Sequence, residues 1–185
     1  MSDEEIMKLF QANDAEAFNE IYERFKAPLY SYFFGLLNST MAEDLLQETF
    51  LKIALKRDTF RYECRLKTWI WTIAKNNLLD YWRTQDHKML NSFDQLCNDE
   101  GEEIILDSND SQEELYLKKV TKAQLKLCSD ELPLGQREIL FLHIQSELSN
   151  QEIADISQVE IGAIKSIIFR SKVKLSACFK RGGHL

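Results

Sequence analysis

Apolar residues recur every three or four positions through most of the chain, which is the spacing that places side chains on one face of an α-helix. In the first half of the chain this pattern predicts four helices. The second of them contains Pro28, which is expected to kink or break it. The third begins near Thr40 and carries an apolar stripe along one face: Ala42, Leu45, Leu46, Phe50, Ile53 and Ala54.

The last part of the chain predicts three or four further helices. One covers roughly residues 113–127, and another follows Pro133. Ser149 and Glu152 have the spacing of a capping box, so a short helix is expected to begin there. A short capped helix, a turn and a basic helix form the pattern of a DNA-binding helix-turn-helix. An ordinary helical hairpin with a solvated basic face is the alternative.

The net charge of −7 is distributed unevenly along the chain. Residues 86–113 contain nine acids and Lys88 as the only base, whereas residues 114–185 are net positive. We therefore predict an all-α fold of two small helical domains, residues 1–85 and 114–185, joined by an acidic linker at residues 86–113. The linker is expected to be a solvated spacer. The alternative is a tether that shields a basic surface or threads a basic channel.

The composition narrows the class of protein. The cysteines, which are Cys64, Cys97, Cys128 and Cys178, stand far apart, and this spacing indicates neither a zinc site nor an obvious disulfide framework. A reducing compartment is expected, and in the absence of a signal-like N-terminus or a long apolar run we expect a cytoplasmic protein without membrane insertion. No histidine pair has metal spacing and no phosphate loop or nucleophile elbow occurs, so we predict no catalytic residue, metal or cofactor.

Two helices carry unusual surfaces. On the third, Leu51 and Leu55 lie among acids opposite the apolar stripe, which is typical of a docking surface. The fourth contains all three tryptophans in KTWIWTIAKNNLLDYWR and is apolar on two sides, so it is either sandwiched in a core or covered by a partner. Lysine and arginine residues alternate with aromatic residues in the stretch before it, residues 56–67. The basic side chains of such a stretch can bind phosphates, and its aromatic rings can stack on unpaired nucleobases.

Three segments resemble, in family order, the sigma factors of bacterial RNA polymerase of the extracytoplasmic-function type. The family's segment that grips core polymerase resembles AEDLLQETFLKIA at residues 42–54. Its helix that melts and reads the −10 promoter element resembles LKTWIWTIAKNNLLDYWR at residues 66–83. Its domain that reads the −35 element resembles LPLGQREIL and QEIADISQVEIGAIKSIIFRSKVKL.

The resemblance implies three sets of contact residues. Core polymerase is expected to bind five residues of the third helix: Asp44, Gln47, Glu48, Leu51 and Leu55. The −10 element is expected to bind the fourth helix and the loop before it: Arg57, Phe60, Arg61, Tyr62, Arg65, Lys67, Trp71, Lys75, Asn76 and Arg83. The −35 element is expected to bind the last helix and its approach: Glu160, Gly162, Ala163, Lys165, Ser166 and Arg170. Trp69 is expected in the core, and Trp71 on the DNA side.

The function implied is that of a dissociable subunit that brings core RNA polymerase to promoter DNA and helps to open the duplex. An anti-sigma protein is implied as a further partner, and closure of the two domains, on each other or on this inhibitor, is expected to cover Trp71 and the recognition helix. Two departures from the family, Ser157-Gln158 at the turn and Ile167 in place of an arginine, predict weak −35 binding. The alternative function is a stand-alone helix-turn-helix regulator with an N-terminal ligand-binding or dimerisation domain.

Overall fold

The computed structural model describes residues 2–85 and 122–181, and both ranges are helical apart from short connections. The first unit consists of four helices and a 3₁₀ turn: α1 (Asp3–Gln11), α2 (Ala15–Leu36), α3 (Ser39–Lys56), the turn Arg57–Thr59, and α4 (Leu66–Gln85). The second unit consists of four helices: α5 (Lys122–Ser129), α6 (Leu134–Ser146), α7 (Asn150–Ser157) and α8 (Ile161–Arg181). The all-α prediction is confirmed. The acidic linker and most of the helix predicted over residues 113–127 lie outside the described residues.

Polar side chains set where several helices begin. The predicted capping box is present at α7, where Ser149 and Glu152 bond to each other's backbone amides, and Ser2 with Glu5 forms a second one at α1. The side chain of Asn38 accepts a hydrogen bond from the amide of Met41 at 2.9 Å. Each of these bonds satisfies an amide that the first turn of a helix leaves without a partner.

Of the two expected effects of Pro28, a kink or a break, the break does not occur. The helix runs from Ala15 to Leu36 with Pro28 inside it. Proline removes one backbone hydrogen bond from a helix, but several of the residues that follow are fully buried, among them Leu29, Tyr32 and Phe33. Packing around this part of α2 therefore outweighs the local preference to end the helix.

The two units pack against each other, and buried residues of both belong to one continuous apolar core. The backbone of α2 lies very close to α6 at Gly35. A Cβ atom added to Gly35 would overlap the ring of Phe141. Helix α5 also contacts α2, and α7 contacts α4. The chain thus adopts a closed arrangement in which the second unit lies against α2 and α4.

One cysteine pair overturns a prediction. Cys128 in α5 and Cys178 in α8 form a disulfide, although 50 residues separate them in sequence. The spacing gave no sign of this bond because α5 and α8 meet only in the tertiary structure. None of the helices in the described ranges combines the length and the apolar character that a membrane span requires.

Candidate nucleic-acid interface

One face of α4 reaches the surface and carries side chains suited to DNA. Asn76 and Arg83 are exposed, as the DNA prediction requires, and Thr72 is half-buried on the same face. Trp69 is also half-buried there, seven positions before Asn76. Residues seven apart lie on one side of an α-helix. The outward face of α4 therefore presents an aromatic ring, an amide and a guanidinium group in line.

Of the two tryptophans at the start of α4, the one assigned to DNA is the more deeply buried. Trp71 is 1% exposed, and its ring packs edge-on against Tyr32 with centroids 5.4 Å apart. Trp69 was expected in the core, but its ring lies at the margin of the fold in edge contact with Phe60. Because Tyr32 belongs to the same unit, the burial of Trp71 does not depend on the second unit alone. Its assignment to the DNA side does not fit this structure.

The loop before α4 is fixed by Gln11 at the end of α1. The side-chain amide of Gln11 donates hydrogen bonds to the carbonyl oxygens of Arg57 and Phe60, at 3.0 and 3.2 Å. Its oxygen accepts a bond of 2.8 Å from the hydroxyl of Tyr62. Tyr62 has a φ of 58°, in the left-handed region that residues with a Cβ rarely adopt. Such a conformation persists only when surrounding contacts fix it, and Gln11 supplies three.

A groove of about 510 Å³ lies between this loop and the start of α1. Tyr62 and Arg65 line one side, while Asp3, Glu4 and Glu63 bring carboxylates to it. The groove thus combines an aromatic ring, a cation and hydrogen-bond acceptors. It is large enough and polar enough to receive a planar polar group.

The remaining loop residues assigned to the −10 element divide by exposure. Arg61, Tyr62 and Arg65 are exposed. Phe60 is buried and packs edge-on against Trp69, so it supports the loop from beneath. Arg57 is half-buried, and its guanidinium donates to the side-chain oxygen of Asn13. The structure therefore places most of Phe60 inside the fold, although part of it lines the groove.

Carboxylates of the second unit lie next to basic side chains at the edge of the outward face of α4. Nζ of Lys67 lies 3.5 Å from a carboxylate oxygen of Glu147 and donates to its carbonyl oxygen at 3.1 Å. Arg65 lies 3.7 Å from Glu152, which also accepts a 2.7 Å hydrogen bond from the hydroxyl of Thr68. Burial raises the pKa of Glu152, but hydrogen bonds from Ser149 and Thr68 and the charge of Arg65 outweigh it, so its pKa lies below the ordinary value. Glu152 is therefore ionised in neutral solution.

A third pair of a carboxylate and a basic side chain lies inside the protein. Lys75 is 4% exposed, and its ammonium lies 3.8 Å from Oε2 of Glu138. Oε1 of Glu138 accepts a 2.7 Å hydrogen bond from the hydroxyl of Tyr32. Burial and the adjacent carboxylate raise the pKa of Tyr32 well above its ordinary value, so this hydroxyl stays a donor. Lys75 was assigned to DNA binding, but in this arrangement its ammonium is paired with Glu138 of the second unit.

The five residues assigned to core polymerase form one exposed stripe on α3. Asp44, Gln47 and Glu48 are exposed, and Leu51 and Leu55 are 59% and 74% exposed. Glu48 pairs with Lys52 on the same helix at 2.9 Å. Two large leucines in water next to acids make this stripe suitable for a protein partner.

The start of α8 is accessible, although closure was expected to cover it. Glu160, Gly162 and Lys165 are exposed, and a Cβ added to Gly162 would meet nothing within 4 Å. The other −35 residues, Ala163, Ser166 and Arg170, are half-buried. Ile167 is 2% exposed. That position faces the core here, so an arginine at Ile167 would not present a base contact in this fold.

Two family models match the chain in the order of its two units. The model for Sigma-70 region 2 matches residues 21–88, and the model for Sigma-70, region 4 matches residues 122–175. The ECF RNA polymerase sigma factor SigM of Bacillus subtilis is 28% identical over 165 residues, which cover 89% of this chain and 96% of SigM. The chain belongs to the extracytoplasmic-function sigma factors. Its function is that of an RNA polymerase sigma factor, and a stand-alone regulator is not favoured.

Solved structures share the fold of this sigma factor. RpoE of Bartonella quintana, in complex with the anti-sigma factor NepR, has a TM-score of 0.66 at 24% identity, over 90% of this chain and 98% of that one. CnrH, in complex with the cytosolic domain of CnrY, has a TM-score of 0.65 at 19% identity, over 98% and 99%. At these sequence identities the comparison shows a shared fold only.

Sequence reasoning did not place Trp69, Gln11, Tyr32 or Glu138 at a functional surface. Trp69 could have been found, because it is seven positions before Asn76 and fourteen before Arg83 on one helix face. Gln11, Tyr32 and Glu138 carried no such signal. Each acts through a contact with a distant part of the sequence.

Proposed function

We propose that this sigma factor binds core polymerase through the α3 stripe, reads the −10 element with α4 and its loop, and reads the −35 element with the start of α8. The observation that carries the proposal is the outward face of α4, where Trp69, Asn76 and Arg83 stand in line beside the loop. RNA synthesis itself stays with the polymerase. Because the partner polymerase works in the cytoplasm, the sigma factor is proposed to act there.

At the −10 element, the loop and α4 divide the work. Arg61, Arg65 and Arg83 supply charge for phosphates, and such contacts position DNA without reading its sequence. An unpaired base stacked on an aromatic ring gains about 1–3 kcal/mol, which offsets the few kcal/mol needed to extrude a base from the duplex. Trp69 and Tyr62 are the accessible rings for this stacking, and the loop groove is proposed to receive the extruded base. Trp71 supports α4 from inside.

At the −35 element, α8 is proposed to enter the major groove with its first turns. Lys165 is exposed on its outward side, and the open space at Gly162 lets the backbone approach DNA closely. Ser166 and Arg170 follow on the same helix. The burial of Ile167 means that its replacement of an arginine costs no surface contact in this fold.

The closed arrangement is proposed to be a resting state. Lys67 and Lys75 are paired with Glu147 and Glu138, so these bases cannot bind phosphates until the second unit moves away from α4. An anti-sigma protein is proposed to bind the sigma factor, since RpoE was captured with the anti-sigma factor NepR. Core polymerase would shift the equilibrium toward the open form by binding that form better.

Reconstitution with bacterial core polymerase tests the proposed function. Asp44→Lys should abolish core binding and transcription while thermal stability stays unchanged, and Glu43→Lys, an exposed neighbour with the same change of charge, is the matched control. Lys165→Glu should reduce protection of the −35 element in footprints. Tight sequence-specific binding of duplex DNA without polymerase would overturn the proposal and favour a stand-alone regulator.

A further inference from the structure

The cysteine pair Cys128–Cys178 joins the end of α5 to the last turns of α8, with 5.7 Å between the Cα atoms. Cys128 is buried, whereas Cys178 is half-buried and reaches the surface. Apolar side chains surround the pair in a small cluster: Leu132, Leu140, Leu175 and Phe179. The two cysteines are therefore positioned to bond without movement of the backbone, at a place that small molecules can reach.

The compartment makes this bond unusual. A sigma factor acts on polymerase in the cytoplasm, where thiol pools keep most cysteines reduced. Disulfides of such proteins are usually transient and serve redox sensing or catalysis. Given the proposed function, the bond between Cys128 and Cys178 is expected to form and break in the cell rather than to be permanent.

Helix α5 connects this pair to the first unit. Nζ of Lys126, two residues before Cys128, donates to the carbonyl oxygens of Phe34 and Leu37, each at 2.6 Å. These carbonyls lie at the end of α2, where a helix leaves its last carbonyl groups without internal partners. Lys126 therefore caps α2, and α5 contacts α2 as well as α8.

We propose that Cys128 and Cys178 are an oxidative modification site for hydrogen peroxide and low-molecular-weight disulfides, and that the oxidised site stabilises the closed arrangement. Peroxide takes two electrons and two protons from the thiols, forms the protein disulfide and leaves as two waters. With a low-molecular-weight disulfide, one protein thiolate attacks and releases one thiol. The second protein thiolate then displaces the other thiol from the mixed disulfide.

The cross-link acts on the closed arrangement through α5. In the oxidised protein α5 cannot separate from α8, so the ammonium of Lys126 stays close to the end of α2. In the reduced protein no covalent bond joins α5 to α8, and the cap on α2 is lost more often. The oxidised form therefore keeps Lys67 and Lys75 paired with carboxylates for a larger fraction of the time.

The chain provides a clean background for the test. Cys64 is exposed, and burial together with the carboxylates of Glu63 and Glu152 raises the pKa of its thiol, which lowers its thiolate fraction. Cys97 lies outside the described residues. Replacing Cys64 and Cys97 with serine leaves the pair as the only cysteines of the full chain.

Chemical modification of this background variant is the first experiment. The protein is treated with oxidised glutathione or with hydrogen peroxide, alkylated, digested and examined by mass spectrometry. We expect a linked peptide that contains Cys128 and Cys178 and disappears with dithiothreitol. If neither oxidant yields the linked peptide, the modification site is overturned.

Hydrogen exchange then tests the effect on closure. Amides at the end of α2 and in α5 should exchange at least about fivefold more slowly in the oxidised protein. Lys126→Met is the matched control, because it keeps both cysteines but should lose the redox effect at α2. Equal exchange at α2 in the oxidised and reduced parent would overturn the proposed link to closure.

Transcription with core polymerase separates this inference from the proposed function. The reduced protein should transcribe at least about fivefold more than the oxidised protein, and Cys128→Ser/Cys178→Ser should be insensitive to oxidants. Equal transcription in the two states would contradict the inference. Failure of both states to transcribe would instead overturn the proposed function, while mass spectrometry and exchange still decide the modification site.

Discussion

The ammonium of Lys75 in α4 lies 3.8 Å from a carboxylate oxygen of Glu138 in α6, and both side chains are inside the protein. The other oxygen of Glu138 accepts a hydrogen bond from Tyr32 of α2. This pair links the two units of the sigma factor by opposite charges shielded from water. The arrangement is costly to build because both ions lose hydration, and it is costly to break from one side only.

Breaking the pair from one side should destabilise the protein strongly. Lys75→Met leaves the charge of Glu138 uncompensated, and we expect the free energy of unfolding to fall by about 3–5 kcal/mol. The double variant Lys75→Met/Glu138→Gln should recover most of this loss, since no buried charge remains. Urea unfolding at neutral pH measures the double-mutant cycle. The exposed pair Asp80–Arg83, at 3.1 Å, is the control and should contribute only about 0–1 kcal/mol to the free energy of unfolding. If the effects of the Lys75 and Glu138 changes on the free energy of unfolding are strictly additive, the coupling is refuted.

Gln11 should affect promoter opening without affecting core binding. Gln11→Ala removes three hydrogen bonds to the loop, each worth about 0.5–1.5 kcal/mol. We expect open-complex formation to fall by at least about tenfold, which corresponds to about 1.4 kcal/mol, with core binding unchanged. Potassium permanganate footprinting of the −10 region measures this. Tyr62→Phe keeps the ring and loses only one hydrogen bond, so it should reduce open-complex formation less. Normal open-complex formation by Gln11→Ala would show that the loop does not need the hydrogen bonds of Gln11.

A glycine should stabilise the turn before α8. Gln158 has a φ of 55° at the end of α7, a left-handed conformation that is costly for any residue with a Cβ. Gln158→Gly is expected to raise the free energy of unfolding by about 1 kcal/mol. Gln151→Gly, inside the same helix, should have the opposite sign because glycine there costs about 1 kcal/mol. A stability loss at both positions, measured by thermal unfolding, would disprove the prediction for Gln158.

Acid should weaken the contact between α4 and α7. The pKa of Glu152 is lower in the folded protein than its ordinary value of 4.5. Its contribution to stability is therefore fully present above that value and is lost as pH falls through the folded pKa. Glu152→Gln should be less stable than the parent at neutral pH, and the difference should shrink in acid. Urea midpoints measured down to pH 3 test this; a difference that stays constant over the whole range would exclude the titration of Glu152 as its cause.

Local patterns were enough to predict much of the fold. The spacing of Ala42, Leu45 and Ile53 identified the buried side of α3, and the pair Ser149 and Glu152 identified the start of α7. Helix periodicity and capping depend on residues close in sequence, which explains this success. The exposed positions of Leu51 and Leu55 followed from the same periodicity.

The sequence by itself determined the all-α character, the start of α7 and the outward side of α3, because these features arise from neighbours within a few turns of one helix. Only the tertiary structure decided that Trp71 lies against Tyr32, that Lys75 meets Glu138, and that Gln11 fixes a loop far along the chain. It also decided the pairing of Cys128 with Cys178. These contacts join residues from different helices, and their energies depend on how the helices pack, which periodicity does not specify.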